Sequence, residues 1–282
     1  MPSYAATNLD NRTLYGLLAT AIAPRPICFA STMDAEGRIN LSPYSFFNVF
    51  SSNPPVVVFS PVLSGRDASR KDTLNNLHVV PEVVINVVTY PMVQQMSLAS
   101  GRYAPGVNEF VKAGFTEAAS TDVRPPRVAE SPVAFECTVD RIIPLGEEGG
   151  AGNLVLARVV RVHADDAYLD EEGNLRGEAL DLVGRMGGND YVRASGAALF
   201  EVPKPGVEPG IGVDALPREV RESSVLTGNE LGQLGSLPQL PTAELIRANR
   251  PAAGSSTAER HRQARVLIEA GEVKRALALL LD

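Results

Sequence analysis

The spacing of apolar residues divides the chain into a β-rich body and a helical tail. Leu14, Leu17 and Leu18 recur at near-helical spacing within 11–20, which predicts a short helix ending before the two prolines of 23–26. From Ile27 the texture changes. Residues 27–33 are apolar and β-prone, Asp34 to Arg38 carries a turn sequence and Ile39 resumes, so the stretch reads as a hairpin. Pro55 to Ser60, through Val56, Val57, Val58 and Phe59, predicts a strand buried on both faces. Residues 72–77 predict a short helix with Asp72 as its cap, and 83–88 another buried strand. Two long β segments follow, 133–145 and 153–163, joined by a glycine-rich loop. In the second, Leu154, Leu156, Arg158, Val160 and Val162 share one face, and Val155, Ala157, Val159, Arg161 and His163 the other. Neither face is strongly polar, as expected of a barrel strand with an interior on one side and a partner surface on the other. Short strands and few long helices favour a mainly β fold, an antiparallel barrel with peripheral helices, over a doubly wound sheet.

Beyond residue 200 the composition shifts. Residues 205–250 are rich in Pro and Gly and read as an extended arm, 251–256 as a linker, and 257–281 as one C-terminal helix burying Leu267, Ile268, Val273, Ala276, Leu277, Leu280 and Leu281. The expected division is therefore a barrel domain over 1–204, an arm over 205–250, and linker plus helix over 251–282.

Composition narrows the classes. A length of 282 residues allows one large or two modest domains, and 44% hydrophobic with 21% charged residues fits a soluble globular protein. A net charge of −7 argues against a nucleic-acid partner. No apolar run approaches the roughly 18 residues of a membrane span, and Met1 to Arg12 lacks a basic segment followed by an apolar one. The expectation is a cytoplasmic protein with no membrane partner. Cys28 and Cys137 are far apart and in no ligand spacing, so they read as small buried hydrophobes. The three histidines, His78, His163 and His261, are too scattered for a metal site, and no metal is expected. His163 reads as a satisfied residue at a strand end, His78 and His261 as surface residues.

Phosphate-loop, nucleophile-elbow, His-Glu-x-x-His and Gly-x-Gly-x-x-Gly patterns are all absent. What remains is an anion site. Within the first hundred residues one concentrated basic patch stands out, Arg66, Arg70 and Lys71, and Lys71 meets the start of a predicted helix in Arg70-Lys71-Asp72-Thr73. A helix start offers unpaired N–H groups and a favourable dipole to a phosphate, and Thr73 adds a hydroxyl. By itself the fragment also describes an exposed charged turn capped by Asp72, which is the favoured reading until a second fragment is weighed.

That fragment runs from Ser31-Thr32 through Asp34-Ala35-Glu36-Gly37 to Asn40-Leu41-Ser42-Pro43-Tyr44-Ser45, followed by Pro54-Pro55 and Lys71-Asp72-Thr73. The order continues in Ala104 to Phe110, Glu130 to Cys137 and Gly184-Arg185-Met186-Gly187-Gly188-Asn189-Asp190-Tyr191. Together these segments resemble the flavin reductase-like family of FMN-binding split barrels, in its longer, flavoredoxin-type branch. The resemblance implies an antiparallel split barrel that binds FMN. Ser42, Pro43, Tyr44 and Ser45 would edge the isoalloxazine ring, chiefly with backbone N–H groups, and Ser31 and Thr32 would reach the ring or ribityl chain. Ser60, Arg66, Lys71, Asp72 and Thr73 would hold the phosphate. Asn153, Arg185 and Tyr191 are candidates on the substrate side, with a Gly-rich turn and a packed Tyr as the plainer account of the last two. No residue is singled out as catalytic, because the flavin carries the chemistry.

The implied function is an oxidoreductase passing reducing equivalents from NADH or NADPH through FMN to free flavin, a monooxygenase partner or another acceptor. A homodimer is implied as well. One departure bears on nicotinamide use: where shorter members show Gly-Asp-His, this chain reads Gly152-Asn153-Leu154. That departure leaves open a non-catalytic FMN-binding protein, a flavin store, electron carrier or sensor.

Overall fold

In the computed structural model, which describes residues 1–204 and 206–281, Asp10 starts the first helix. Its carboxylate accepts from the Thr13 N–H at 3.0 Å and caps α1 (Asn11–Ala21). β1 (Cys28–Met33) and β2 (Ile39–Tyr44) form the expected hairpin, its turn closed by Asp34 accepting from the Arg38 N–H at 2.8 Å. β3 (Phe47–Ser52) and β4 (Pro55–Phe59) form a second hairpin. Then come α2 (Asp72–Val79), β5 (Glu82–Val87), α3 (Val93–Ala99) and α4 (Glu109–Ala113). A short ribbon of β6 (Glu117–Ala118) and β7 (Arg127–Val128) leads to the long pair β8 (Val133–Pro144) and β9 (Asn153–Ala164). β10 (Leu182–Arg185) and β11 (Tyr191–Ala194) make the last hairpin.

Among the described residues, seven strands form one antiparallel sheet in the order β2-β1-β5-β8-β9-β4-β3. Its two edge strands are consecutive in the chain, with only Ser45 and Phe46 between them. Three residue steps span at most about 11 Å. The edges must therefore curl toward each other, and the sheet closes as a split barrel. Small side chains make the closure possible: Cys28, Ala30, Cys137 and Ala157 are buried with Val57, Phe59, Val83, Ile85 and Val155. Both thiols are free, and burial pushes the Cys137 pKa up to about 12. On the opposite face Phe29 and Leu41 pack with Met92, Met96, Phe110 and Phe115, and the Phe29 and Phe115 rings meet edge-on at 5.3 Å.

Three local expectations change. β4 buries Val57 and Phe59 but leaves Val56 and Val58 half-buried, so it is not covered on both faces. The cap of α2 is Lys71, which makes no side-chain cap bond, and Asp72 is the first helical residue. Along β9 the alternation breaks at Val160. Val159 pairs with Cys137 and Arg161 with the adjacent Glu136, so Val160 is an extra, bulged residue. The bulge turns Arg161 and His163 off the face of Val155 and Ala157 and onto Glu136. That carboxylate is fully buried and accepts from the N–H groups of Thr121, Asp122 and Val123 at 2.7, 2.5 and 3.1 Å, and from His163 Nε2 at 2.5 Å. Burial raises the Glu136 pKa, but the bonds from His163 and the three N–H groups outweigh it, and the net shift is downward. His163 is thus a satisfied residue at a strand end.

Met1–Phe200 and Glu201–Asp282 are separate compact units. Within the second, the expected extended arm carries α5 (Arg218–Arg221), α6 (Gly228–Gly235) and α7 (Ala243–Ala248), followed by α8 (Thr257–Glu269) and α9 (Val273–Leu280). Leu216, Val220, Leu226 and Leu234 share one core with Ile268, Leu277 and Leu280, so the arm and the C-terminal helices fold together. The single helix expected over 257–281 is broken at Gly271, whose φ of 79° is left-handed. Glu272 N–H donates to Leu267 O at 2.8 Å and Gly271 N–H to Ile268 O at 2.9 Å, a Schellman stop that turns α8 back along α9. His261 is buried rather than a surface residue: it lies on the inward stripe with Ala264 and Ile268, and its Nδ1 is 2.7 Å from Ser223 Oγ. Among the described residues no helix is long and apolar enough to cross a membrane.

Candidate functional site

Pairing in the first hairpin sets Thr32 opposite Asn40, Ala30 opposite Ser42 and Cys28 opposite Tyr44, so these six share one face. Helix α2 packs there through buried Thr73, Asn76 and Leu77. A chain of hydrogen bonds crosses the contact. Tyr44 Oη donates to Thr73 Oγ1 at 2.8 Å, Thr73 donates to Asn40 Oδ1 at 2.6 Å, and Asn40 Nδ2 donates to both Glu109 oxygens at 3.1 Å. Leu41 N–H, on the free edge of β2, donates to Glu109 at 2.9 Å, and Asn76 Nδ2 to Thr32 Oγ1 at 3.1 Å. An ionised carboxylate only accepts, so Glu109 fixes the Asn40 amide and through it the direction of every proton in the chain. Burial raises the Glu109 pKa against those bonds, and burial pushes Tyr44 up to about 12, leaving it a neutral donor.

A cavity of about 310 Å³ opens over this network, at the low end for small-molecule sites. Asn40, Ser42, Tyr44 and Thr73 line it, and Arg70, Lys71 and Arg102 bring positive charge. Lys71 Nζ sits 5.2 Å from the centre of the Tyr44 ring, within cation–π range. Burial first, and the charge of Arg102 second, lower the Lys71 pKa. Among the described residues none of these three cations is in an ion pair. Asp72 stands on the rim, shared with an adjoining hollow that holds Asp34, Glu36 and Arg38.

The expected site residues therefore fall in several places. Ser42, Tyr44, Lys71, Asp72 and Thr73 meet at the cavity, with Thr32 beneath it. Thr73 is nevertheless spent as a donor, because its one proton goes to Asn40, so it is not the hydroxyl donor expected for a phosphate. Ser31 lies on the opposite face of β1 from Thr32, buried and with no hydrogen-bond partner for its Oγ. The alternation that aims Leu41 N–H outward gives residue 43 the same direction, and Pro43 offers only a carbonyl. A continuous row of N–H groups over 42–45 is thus not what the edge presents.

Ser45 and Ser60 line an aromatic hollow with Arg25, Phe46, Phe47, Phe50 and Phe59. Ser60 Oγ accepts from the Asn153 N–H at 3.0 Å, and Asn153 Nδ2 donates to Pro61 O at 3.1 Å. Arg66 is elsewhere, in a hollow with Asn11 and residues 148–151, apart from Lys71. Arg185 and Tyr191 line a third hollow, where the guanidinium donates to Tyr191 Oη at 2.6 Å and stacks on its ring at 4.7 Å. Sequence reasoning missed Asn40, Asn76, Glu109 and Arg102 as members of the constellation. Asn40 and Glu109 stand inside the segments that carried the resemblance. Arg102 had no such signal, being about thirty residues from the basic patch.

A family model for the flavin reductase like domain matches residues 20–179. The chain belongs to that family. An uncharacterized protein of Aquifex aeolicus is 34% identical over 199 residues, covering 71% of this chain and 99% of its own length. Nitrilotriacetate monooxygenase component B of Bacillus cereus is similar in structure with a TM-score of 0.67 at 30% identity, over 72% of this chain and 98% of that one. The 2-nitrobenzoate 2-nitroreductase of Pseudomonas fluorescens gives a TM-score of 0.64 at 28% identity, over 73% and 100%. Every residue lining the cation cavity lies within the flavin reductase-like span, whereas Arg185, Tyr191 and the unit from Glu201 onward lie beyond it.

Proposed function

We propose that this flavin reductase-like protein is an FMN-dependent oxidoreductase that takes reducing equivalents from NADH or NADPH and passes them to free flavin, a monooxygenase partner or another acceptor. The observation that carries the reading is the cavity in which Arg70, Lys71 and Arg102 stand, without ion-pair partners among the described residues, over the hydrogen-bonded chain of Tyr44, Thr73, Asn40 and Glu109. A flavin phosphate brings the charge such a cluster lacks. Lys71 and Arg70 hold the phosphate; Ser42, the Pro43 carbonyl and Tyr44 border the ring end. When bound, FMN supplies hydride-transfer chemistry, and the protein supplies position and electrostatics. The Glu109-anchored chain holds Tyr44 as a rigid plate beneath Lys71, so the ammonium is placed before the ligand arrives. The solved relatives support an electron-transfer role, one being a monooxygenase component and the other a nitroreductase.

One observation favours a second reading, a flavin carrier without turnover. Asn153 stands where shorter family members carry the acidic residue of Gly-Asp-His, and both its N–H and its amide are committed to Ser60 and Pro61.

We propose a homodimer as well. Phe46 and the Tyr15 ring of α1 lie 6.3 Å apart, and Ile22 and Phe50 line the same hollow as Phe46, all four exposed. Such a face invites a partner. Sedimentation of the chain with FMN, followed by flavin absorbance, tests both proposals at once. Flavin moving with a dimer is expected. A monomer removes the pairing, and flavin left behind by the protein removes FMN as the cofactor.

A further inference from the structure

We infer that Arg102, on the turn after α3, is a third cation of the phosphate subsite beside Arg70 and Lys71, and one of the residues that make the cavity prefer a phosphorylated flavin to riboflavin. The inference rests on the flavin reading above. Two segments distant in the chain meet at one cavity, Arg70 and Lys71 from the first and Arg102 from the second. Elsewhere in this unit several arginines stand in ion pairs, Arg124 with Glu82, Arg158 with Asp140, Arg161 with Asp122 and Arg193 with Asp181, while others stand singly in separate places, as Arg66 and Arg185 do. What sets this cavity apart is that three cations with no ion pair among the described residues are drawn together on it, and such a cluster calls for an anion. Asp72 lines the same cavity but forms no ion pair with any of the three, and the Glu109 carboxylate is occupied by Asn40 and Leu41.

The turn is built to hold Arg102 in place. Gly101 N–H donates to Leu98 O at 3.1 Å, Tyr103 N–H to Gly101 O at 3.1 Å, and Tyr103 Oη to Leu98 O at 3.2 Å. The Tyr103 ring folds back so closely that a Cβ on residue 101 would meet its Cε2 at 3.1 Å, which accounts for the glycine. Lys71 and Arg102 sense each other, since the guanidinium adds to burial in lowering the lysine pKa. A phosphate monoester carries about −1.5 to −2 charge near neutral pH and can take a point-charge bond from Lys and a forked one from Arg. Riboflavin offers neither charge.

Equilibrium titrations of FMN and riboflavin with the wild type, Lys71→Ala and Arg102→Gln decide the matter. Arg102→Gln is expected to weaken FMN about tenfold and leave riboflavin unchanged. An unchanged FMN-to-riboflavin ratio overturns the inference; if Lys71→Ala still lowers that ratio, the flavin reading survives without Arg102. A second readout needs no flavin. The chain's lysines are Lys71, Lys112, Lys204 and Lys274, so a carbon-13 methylated Lys71 resonance is assignable by its loss in Lys71→Ala. Its pKa is expected to rise in Arg102→Gln, and in the wild type when inorganic phosphate is added. A Lys71 pKa indifferent to both overturns the shared subsite. Should the wild type bind neither flavin, the flavin reading falls, and this titration alone judges whether the two cations hold one anion.

Discussion

Lys71→Ala is expected to weaken FMN about ten- to a hundredfold while leaving riboflavin nearly unaffected. The lysine stands as the cap residue of α2, over the Tyr44 ring, with its pKa lowered by burial and by Arg102. A charge-assisted bond from such a group contributes about 1.5–3 kcal/mol, which converts to that range of affinity. Riboflavin keeps the ring and ribityl chain but has no phosphate, so it reports any general damage to the cavity. Fluorescence quenching of both ligands at fixed salt reads the difference. Equal losses for the two flavins would take Lys71 out of the phosphate subsite and return its segment to a plain charged turn.

The largest effect on stability is expected at Glu136. Glu136→Ala strips the acceptor from three backbone N–H groups and from His163, all gathered on one fully buried carboxylate. Leaving buried donors without their acceptor costs about 1–3 kcal/mol, and more where the lost partner was charged. Glu136→Gln retains one acceptor oxygen but faces the N–H groups with a second donor, so it falls between. The pH dependence has a definite sign. A carboxylate with a depressed folded pKa stabilises the fold above its unfolded pKa of about 4.3, and that contribution fades as pH falls through the lower folded value. The wild type should therefore lose more stability than Glu136→Gln on acidification through that window. Hydrogen exchange at Thr121, Asp122 and Val123 is the sensitive probe. Unchanged protection there in Glu136→Ala would show that the loop does not depend on the carboxylate.

Local patterns made most of the barrel legible. The apolar, β-prone run of 27–33, the Asp34 to Arg38 turn and the two long β segments are decided by near neighbours, and they appear where expected. The bulge at Val160 was not legible, because it depends on the register with β8 rather than on any residue of β9. Residues 205–250 misled for a different reason. Their Pro and Gly content describes turns, but Leu216, Val220, Leu226 and Leu234 acquire a core only when α8 and α9 supply the other half. Gly271, by contrast, was readable as a helix stop, and His261 as an inward residue from its spacing to Ala264 and Ile268.

The site was legible as a set of segments and less so as a set of side chains. Segment order placed Asn40 to Tyr44 next to Lys71 to Thr73, and these do meet. Which hydroxyl is free is a matter of proton direction. Thr73 is tied to Asn40 only because Glu109, nearly seventy residues away from Asn40, takes the other end of that amide. Ser31 and Thr32 are neighbours in sequence, yet the pleat sends them to opposite faces of β1. Arg66 belongs to the same basic patch as Lys71, but the intervening loop carries it to a different hollow.

Anaerobic mixing of the FMN-loaded protein with NADH and with NADPH tests the oxidoreductase reading most directly. Loss of the oxidised-flavin absorbance with at least one of the two nucleotides, and its return when air is admitted, is the predicted result. Flavin that stays bound and oxidised in the presence of both would contradict it, and would leave this flavin reductase-like chain as a carrier of FMN.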